Sequence, residues 1–146
     1  MQVRPATADD FRAVCGLLAE LGRPTVGDGA SDACRAAFMA DLGDPAADHL
    51  LALDDRGVPI GFVSLHYRRR LNQPTVEAWV PDLIVIERAR GTGAGRALLA
   101  EAERRARERG CHRLALESGY SRTRAHGVYV AAGMTDGGKY FTKDLR

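Results

Sequence analysis

Apolar residues recur along the chain with two periods, which divide it into helical and strand-like segments. Residues 2–6 read as a short strand. Thr7-Ala8-Asp9-Asp10 has the chemistry of a helix start, with Thr7 as N-cap and acids in the first turn. Phe11, Val14, Leu18 and Leu21 then follow at spacings of 3, 4 and 3, one face of a helix that Gly22 and Pro24 end. After the Gly-rich segment from Gly27 to Ala30, Ser31-Asp32 offers a second cap. The helix behind it is expected to pack through Ala37, Phe38 and Leu42.

The middle of the chain changes to β character. Residues 49–54 are an apolar run, Asp55-Arg56-Gly57 has hairpin-turn chemistry, and 58–67 returns as a strand. Residues 68–74, polar and ending in Pro74, read as a connecting loop. Residues 75–86 form a longer strand broken by Pro81, which inside a strand marks a bulge or an unpaired stretch. A Gly-rich turn at 91–95 leads into a helix that runs to Arg109 and is closed by Gly110. Leu98, Ala102 and Ala106 should face inward there, with Glu101–Arg105 and Glu103–Arg107 as outward pairs. Residues 111–117 read as a strand, 122–132 as a helix capped by Ser121 and ended by Gly133, and 139–145 as a last strand. This order gives an α+β domain with a mixed sheet.

Composition narrows the classes. The 146 residues, 45% hydrophobic and 27% charged, fit one domain spanning 1–146. A net charge of +2 excludes nucleic-acid binding through bulk basicity, although 19 of the 21 basic residues are arginine. Cys15, Cys34 and Cys111 are scattered, as reduced cytosolic thiols would be, and neither they nor His49, His66, His112 and His126 show metal-ligand spacing. The N-terminus lacks a signal-like apolar run, so the expected location is cytoplasmic, without a membrane partner.

The segment from Asp82 to Leu99 carries the chemistry. Gly91, Gly93 and Gly95 leave the backbone free of Cβ atoms before a helix, so amides and the helix dipole can receive a phosphate, with Arg90 and Arg96 as charged donors. A Walker A loop needs a lysine that this turn lacks. The dinucleotide fingerprint fails because Arg96 stands at its last glycine.

The spacing Arg90-x-x-Gly93-x-Gly95 instead resembles the acyl-CoA loop of the GCN5-related N-acetyltransferase (GNAT) family. Arg122-x-x-Ala125-His126-x-x-Tyr129-x-x-x-Gly133-Met134 resembles that family's fourth helix. Val3 to Asp10 is similar to its first strand and helix, and Tyr140 to Leu145 to its last strand. The resemblance covers nearly the whole chain. It implies a mixed, mostly antiparallel sheet of about six or seven strands, about four flanking helices, and two parallel central strands that splay apart.

The resemblance further implies acetyl-CoA as cosubstrate, without a metal. The backbone of Ile84, Val85 and Ile86 would hold the pantetheine arm. Arg90, Gly91, Thr92, Gly93, Ala94, Gly95 and Arg96 would hold the pyrophosphate, with Arg122 near the cofactor. The implied reaction is direct attack of a primary amine, more readily a small molecule than a protein, on the thioester in a ternary complex. Tyr129 stands where the family places the acid that protonates the thiolate; an alternative is a plain core tyrosine. Pro81 replaces an acidic residue found in some relatives, leaving Glu77 as candidate base and Glu117 behind it. His126 reads as structural, Arg68-Arg69-Arg70 as a solvated loop, and Asp28, Asp32 and Asp136 as attractors for a cationic amine. A homodimer is expected. The alternative function is an acetyl-CoA-binding regulatory module with little catalysis.

Overall fold

A computed structural model describes residues 1–21, 31–118 and 123–145. They fall into two compact units, Met1–Leu116 and Glu117–Arg146. The first contains β1 (Gln2–Pro5), α1 (Phe11–Glu20), α2 (Ser31–Leu42), β2 (Ala47–Leu53), β3 (Pro59–Arg69), β4 (Val76–Val80), β5 (Leu83–Val85), α3 (Ala94–Glu108) and β6 (Arg113–Leu116). The second contains α4 (Thr123–Ala131). This is the expected α+β arrangement, with a six-stranded sheet and four α-helices among the described residues. Gly22, Pro24, Gly27, Asp28, Ser121 and Arg122 lie outside the described residues.

The sheet runs β1-β2-β3-β4-β6, with β5 paired to β3. Its pairs are antiparallel except β4–β6, which is parallel. The β2–β3 hairpin turns at Gly57, whose φ of +80° is costly for residues with a Cβ. The Asp54 carboxylate accepts the amides of Arg56 and Val58, both at 2.9 Å, and fixes the turn. That turn places His49 opposite Ser64.

Side-chain alternation gives the sheet two covered faces. On one, Leu50, Val63, Leu65, Ala78 and Val80 pack with Leu98, Ala102 and Ala106 of α3. α3 sits close because Gly61 lies beneath it: a Cβ there would come within 2.9 Å of Leu98 Cδ1 and 3.1 Å of the Ile84 carbonyl. On the other face Phe11, Val14, Leu17 and Phe38 pack with Leu51, Phe62 and Ile84. α1 is entered through a single 3-10 turn, Ala8–Asp10. There Asp10 accepts the Thr7 amide at 2.7 Å and the Arg4 guanidinium at 2.8 Å.

Three expectations are corrected. Ala37 is exposed, and α2 packs through Phe38, with Cys34 and Leu42 half-buried beside it, because those positions share one helical face. Arg68 and Arg69 belong to β3, where they pair with Glu77 and Val76 across the strands. Residues 139–145 form no strand; Tyr140, Phe141 and Leu145 are exposed, and β propensity without a paired neighbour fixes nothing. α4 ends as its sequence suggests. Gly133, at φ +87°, donates to the Val130 carbonyl at 2.9 Å, and Met134 donates to Tyr129 at 3.0 Å.

Candidate active site

The site begins where the central strand breaks. β4 keeps its parallel partner from Glu77–Arg113 to Val80–Leu116; beyond Pro81, β5 is paired only with β3 among the described residues. Ser64 holds the break. Its amide donates to the Asp82 carbonyl at 3.0 Å, and its hydroxyl accepts the Asp82 amide at 3.1 Å. Ile86 donates to the Ile60 carbonyl at 3.0 Å. Asp82, Ile84 and Ile86 therefore turn their backbone groups toward β3, and Leu83 and Val85 turn theirs to the opposite edge. Of the three residues expected to hold a pantetheine arm, only Val85 presents its backbone there. Ile84 and Ile86 are committed to the sheet, and Leu83 presents its backbone at that edge beside Val85. Arg90 Nε donates to the Val85 carbonyl at 3.3 Å.

The turn that follows is shaped for an anion. Gly91 and Gly93 have φ of +81° and +92°, and a Cβ on either would meet nothing within 4 Å, so open space lies beside the backbone. The first bond inside α3 is Ala97 N–H to the Gly93 carbonyl, 2.9 Å, so the amides of Ala94, Gly95 and Arg96 precede the intrahelical ladder. Thr92 ties the turn by donating its hydroxyl to the Ala89 carbonyl. Arg90 and Arg96 are exposed. A cavity of about 560 Å³ borders this turn, lined by Glu20, Ile86, Glu87, Arg88 and Arg90. These groups fit a pyrophosphate joined to a strand-like amide chain, the chemistry of a CoA thioester.

A second cavity, about 180 Å³, opens between α1, α2 and the β2–β3 hairpin. Its apolar walls include Phe11, Phe38 and Phe62; Asp41, His49, Ser64, His66 and Asp82 supply its polar groups. His49 Nε2 lies 2.9 Å from Asp41 Oδ2, and its ring stacks on Phe62 at 5.6 Å. Cys15 also lines the space; burial raises its thiol pKa, so it stays protonated. Asp82 belongs both to this cavity and to the start of the open strand edge. Sequence reasoning missed these polar residues, though the hairpin register and the polar alternation Ser64, His66 on an apolar strand were available signals.

Glu77 lies outside the linings of both cavities. It is buried and 3.4 Å from Arg68 Nε, while the Arg68 guanidinium sits 4.7 Å over the Trp79 ring. The arginine run is thus partly engaged with the sheet. Tyr129 is the buried residue of α4, and His126, three positions earlier, is half-buried. Among the described residues no group of three His, Cys, Asp or Glu side chains could hold a metal ion. No described helix is long and apolar enough to cross a membrane.

Residues 14–134 match the model of the acetyltransferase (GNAT) family. The aminoalkylphosphonate N-acetyltransferase of Salmonella typhimurium is 33% identical over 144 residues, 99% of this chain and 91% of the relative. Glucosamine-6-phosphate N-acetyltransferase from Arabidopsis thaliana superposes with a TM-score of 0.84 at 17% identity, covering 99% of this chain and 98% of that one. AAC(6')-Iy in complex with the bisubstrate analogue CoA-S-monomethyl-acetylneamine also gives 0.84, at 22% identity over 99% of this chain and 97% of that one. The chain belongs to the GNAT family and is an acetyl-transferring enzyme of that fold.

Proposed function

We propose that the protein acetylates small primary amines, using acetyl-CoA, by direct attack within a ternary complex. One observation carries this reading: the one-sided strand edge at Leu83–Val85 and the polar cavity meet at Asp82. The 33% identical relative, an aminoalkylphosphonate N-acetyltransferase by name, supports a small acceptor. Acetyl-CoA supplies an activated acyl carbon. The backbone of Leu83 and Val85 aligns its arm, the amides of Gly91 and of Gly93 to Arg96 receive its phosphates, and Arg90 and Arg96 add charge, while the Thr92 amide is spent on the Ala89 carbonyl. The 146 residues work as one domain, in the cytoplasm, where the free thiols of Cys15, Cys34 and Cys111 stay reduced.

An alkylammonium of pKa ~10 is neutral in only about one molecule in a thousand at pH 7, a deficit of roughly 4 kcal/mol that the acceptor side must overcome. The thiolate that departs needs a proton, and the Tyr129 phenol is the proposed donor. Release of CoA thiol from acetyl-CoA is the assay, across an aminoalkylphosphonate, an amino-sugar phosphate, an aminoglycoside and simple alkylamines. Turnover with at least one amine is expected, and Tyr129→Phe should lower kcat by about tenfold or more with KM little changed. A CoA-induced rise in melting temperature without turnover would favour a CoA-binding regulatory module. No rise at all would overturn the proposal.

A further inference from the structure

We propose that Asp41 of α2 and His66 of β3 form the seat for the acceptor ammonium, with His66 as the catalytic proton acceptor and the buried His49 as the residue that positions Asp41. The inference rests on the N-acetyltransferase reading above and assigns the proton that reading leaves without a destination.

The geometry begins with His49. Its side chain is only 8% exposed, stacked on Phe62 and flanked by Phe38. A carboxylate only accepts hydrogen bonds, so the 2.9 Å contact to Asp41 Oδ2 requires the His49 proton on Nε2. Nδ1 is a buried atom without a hydrogen-bond partner among the described residues. His49 is therefore held as an Nε2–H donor that aims one oxygen of Asp41. Asp41, on the last turn of a helix, would otherwise be free to rotate.

His66 Nε2 lies 3.9 Å from that same oxygen. This is too long for a hydrogen bond between the two groups. It suits a third group between them: one ammonium nitrogen can sit about 2.9 Å from both and give each an N–H. Asp41 and His66 are about one-third exposed, at 31% and 34%, and both line the cavity, so a ligand can reach them and a proton can leave. Other titratable groups facing this space are Cys34 from α2, Cys15 from α1 and Asp82 beside Ser64. Glu77, the carboxylate singled out in the sequence, faces Arg68 instead.

The step balances as follows. The ammonium passes one proton to His66 Nε2, beside the Asp41 negative charge. The freed nitrogen lone pair forms a C–N bond to the acetyl carbon, and the C–S bond breaks. The Tyr129 phenol gives its proton to the departing sulfur, the second N–H proton restores the phenol, and the products are an acetamide and the CoA thiol. The imidazolium of His66 then releases its proton to solvent through its exposed side.

The test uses the whole chain and the fastest amine of the panel above, with kcat and amine KM measured from pH 5.5 to 9.5. His66→Gln should lower kcat/KM about 100-fold near neutrality and flatten the acid limb of the wild-type pH profile. Asp41→Asn should raise amine KM about tenfold or more, and His49→Gln should do the same to a smaller degree. The CoA-induced melting shift should persist in all three, which reports an intact fold. Asp41→Asn, on a helix surface, keeps the test decisive should a strand variant unfold. A His66→Gln profile and an Asp41→Asn KM within twofold of wild type would overturn the seat while leaving the acetyltransferase reading intact. A wild type that acetylates no amine would overturn both.

Discussion

Ser64 grips Asp82 at three points: amide to carbonyl at 3.0 Å, hydroxyl from amide at 3.1 Å, and hydroxyl to carboxylate at 3.3 Å. Ser64 is buried, and its hydroxyl accepts the Asp82 amide on the β3 side, where a regular ladder would offer a backbone carbonyl. The pair sets where β4 stops and where the open edge begins.

Ser64→Ala should therefore leave the Asp82 amide without that acceptor. A loss of about 1–3 kcal/mol in urea unfolding is expected. The amine-side kcat/KM should fall more than the affinity for CoA, because Asp82 lines the amine cavity. Equal falls in both would show that the serine supports only the sheet.

Two glycines should respond oppositely to alanine. At Gly61 the new methyl meets Leu98 Cδ1 at 2.9 Å and the Ile84 carbonyl at 3.1 Å, and Gly61→Ala should cost about 1–3 kcal/mol in thermal or urea melts. Gly16, inside α1, has nothing within 4 Å of a built Cβ. Gly16→Ala should raise stability by about 0.5–1 kcal/mol.

At the entry to α1 the Arg4 guanidinium, then the Thr7 amide, hold the Asp10 carboxyl down at about 2, below its ordinary value and against the opposing effect of burial. A depressed folded pKa stabilises the native state above the unfolded value near ~3.9. The contribution is lost as pH falls from there through about 2. Asp10→Asn should cost about 1–2 kcal/mol at pH 7. Its melting curve should converge on wild type near pH 2, a range that calorimetry across an acid series covers.

Gly93 caps α3 at a φ of +92°, where an alanine is strained by roughly 1–2 kcal/mol and adds a methyl beside the amides that face the anion. Gly93→Ala should weaken CoA binding in isothermal titration about tenfold or more, while dephosphorylated pantetheine loses much less. Equal losses for the two ligands would place the defect in the strand edge.

Features dictated locally were legible in the sequence. The inward stripe of α3, its Glu101–Arg105 pair at 2.9 Å and the Gly110 and Gly133 stops depend on spacing along one helix. The break at Pro81 was visible because proline cannot continue a ladder. What escaped depends on tertiary register. Asp41 meets His49 only because α2 returns over β2, and Glu77 meets Arg68 only because β3 extends two residues beyond its apolar run. Residues 139–145 carry strand propensity, yet pairing and not propensity decides that state.

The one-sided pairing of Leu83–Val85 also bears on how long the protein lasts. A ligand lying along that edge finishes a sheet that the chain leaves incomplete, and it binds the folded state alone. At 100 times its Kd such a ligand adds about 2.7 kcal/mol to the folding equilibrium. Proteolysis through the unfolded state slows in the same proportion. On the proposed function, adding acyl donor should therefore protect the whole chain from proteolysis as well as drive its turnover.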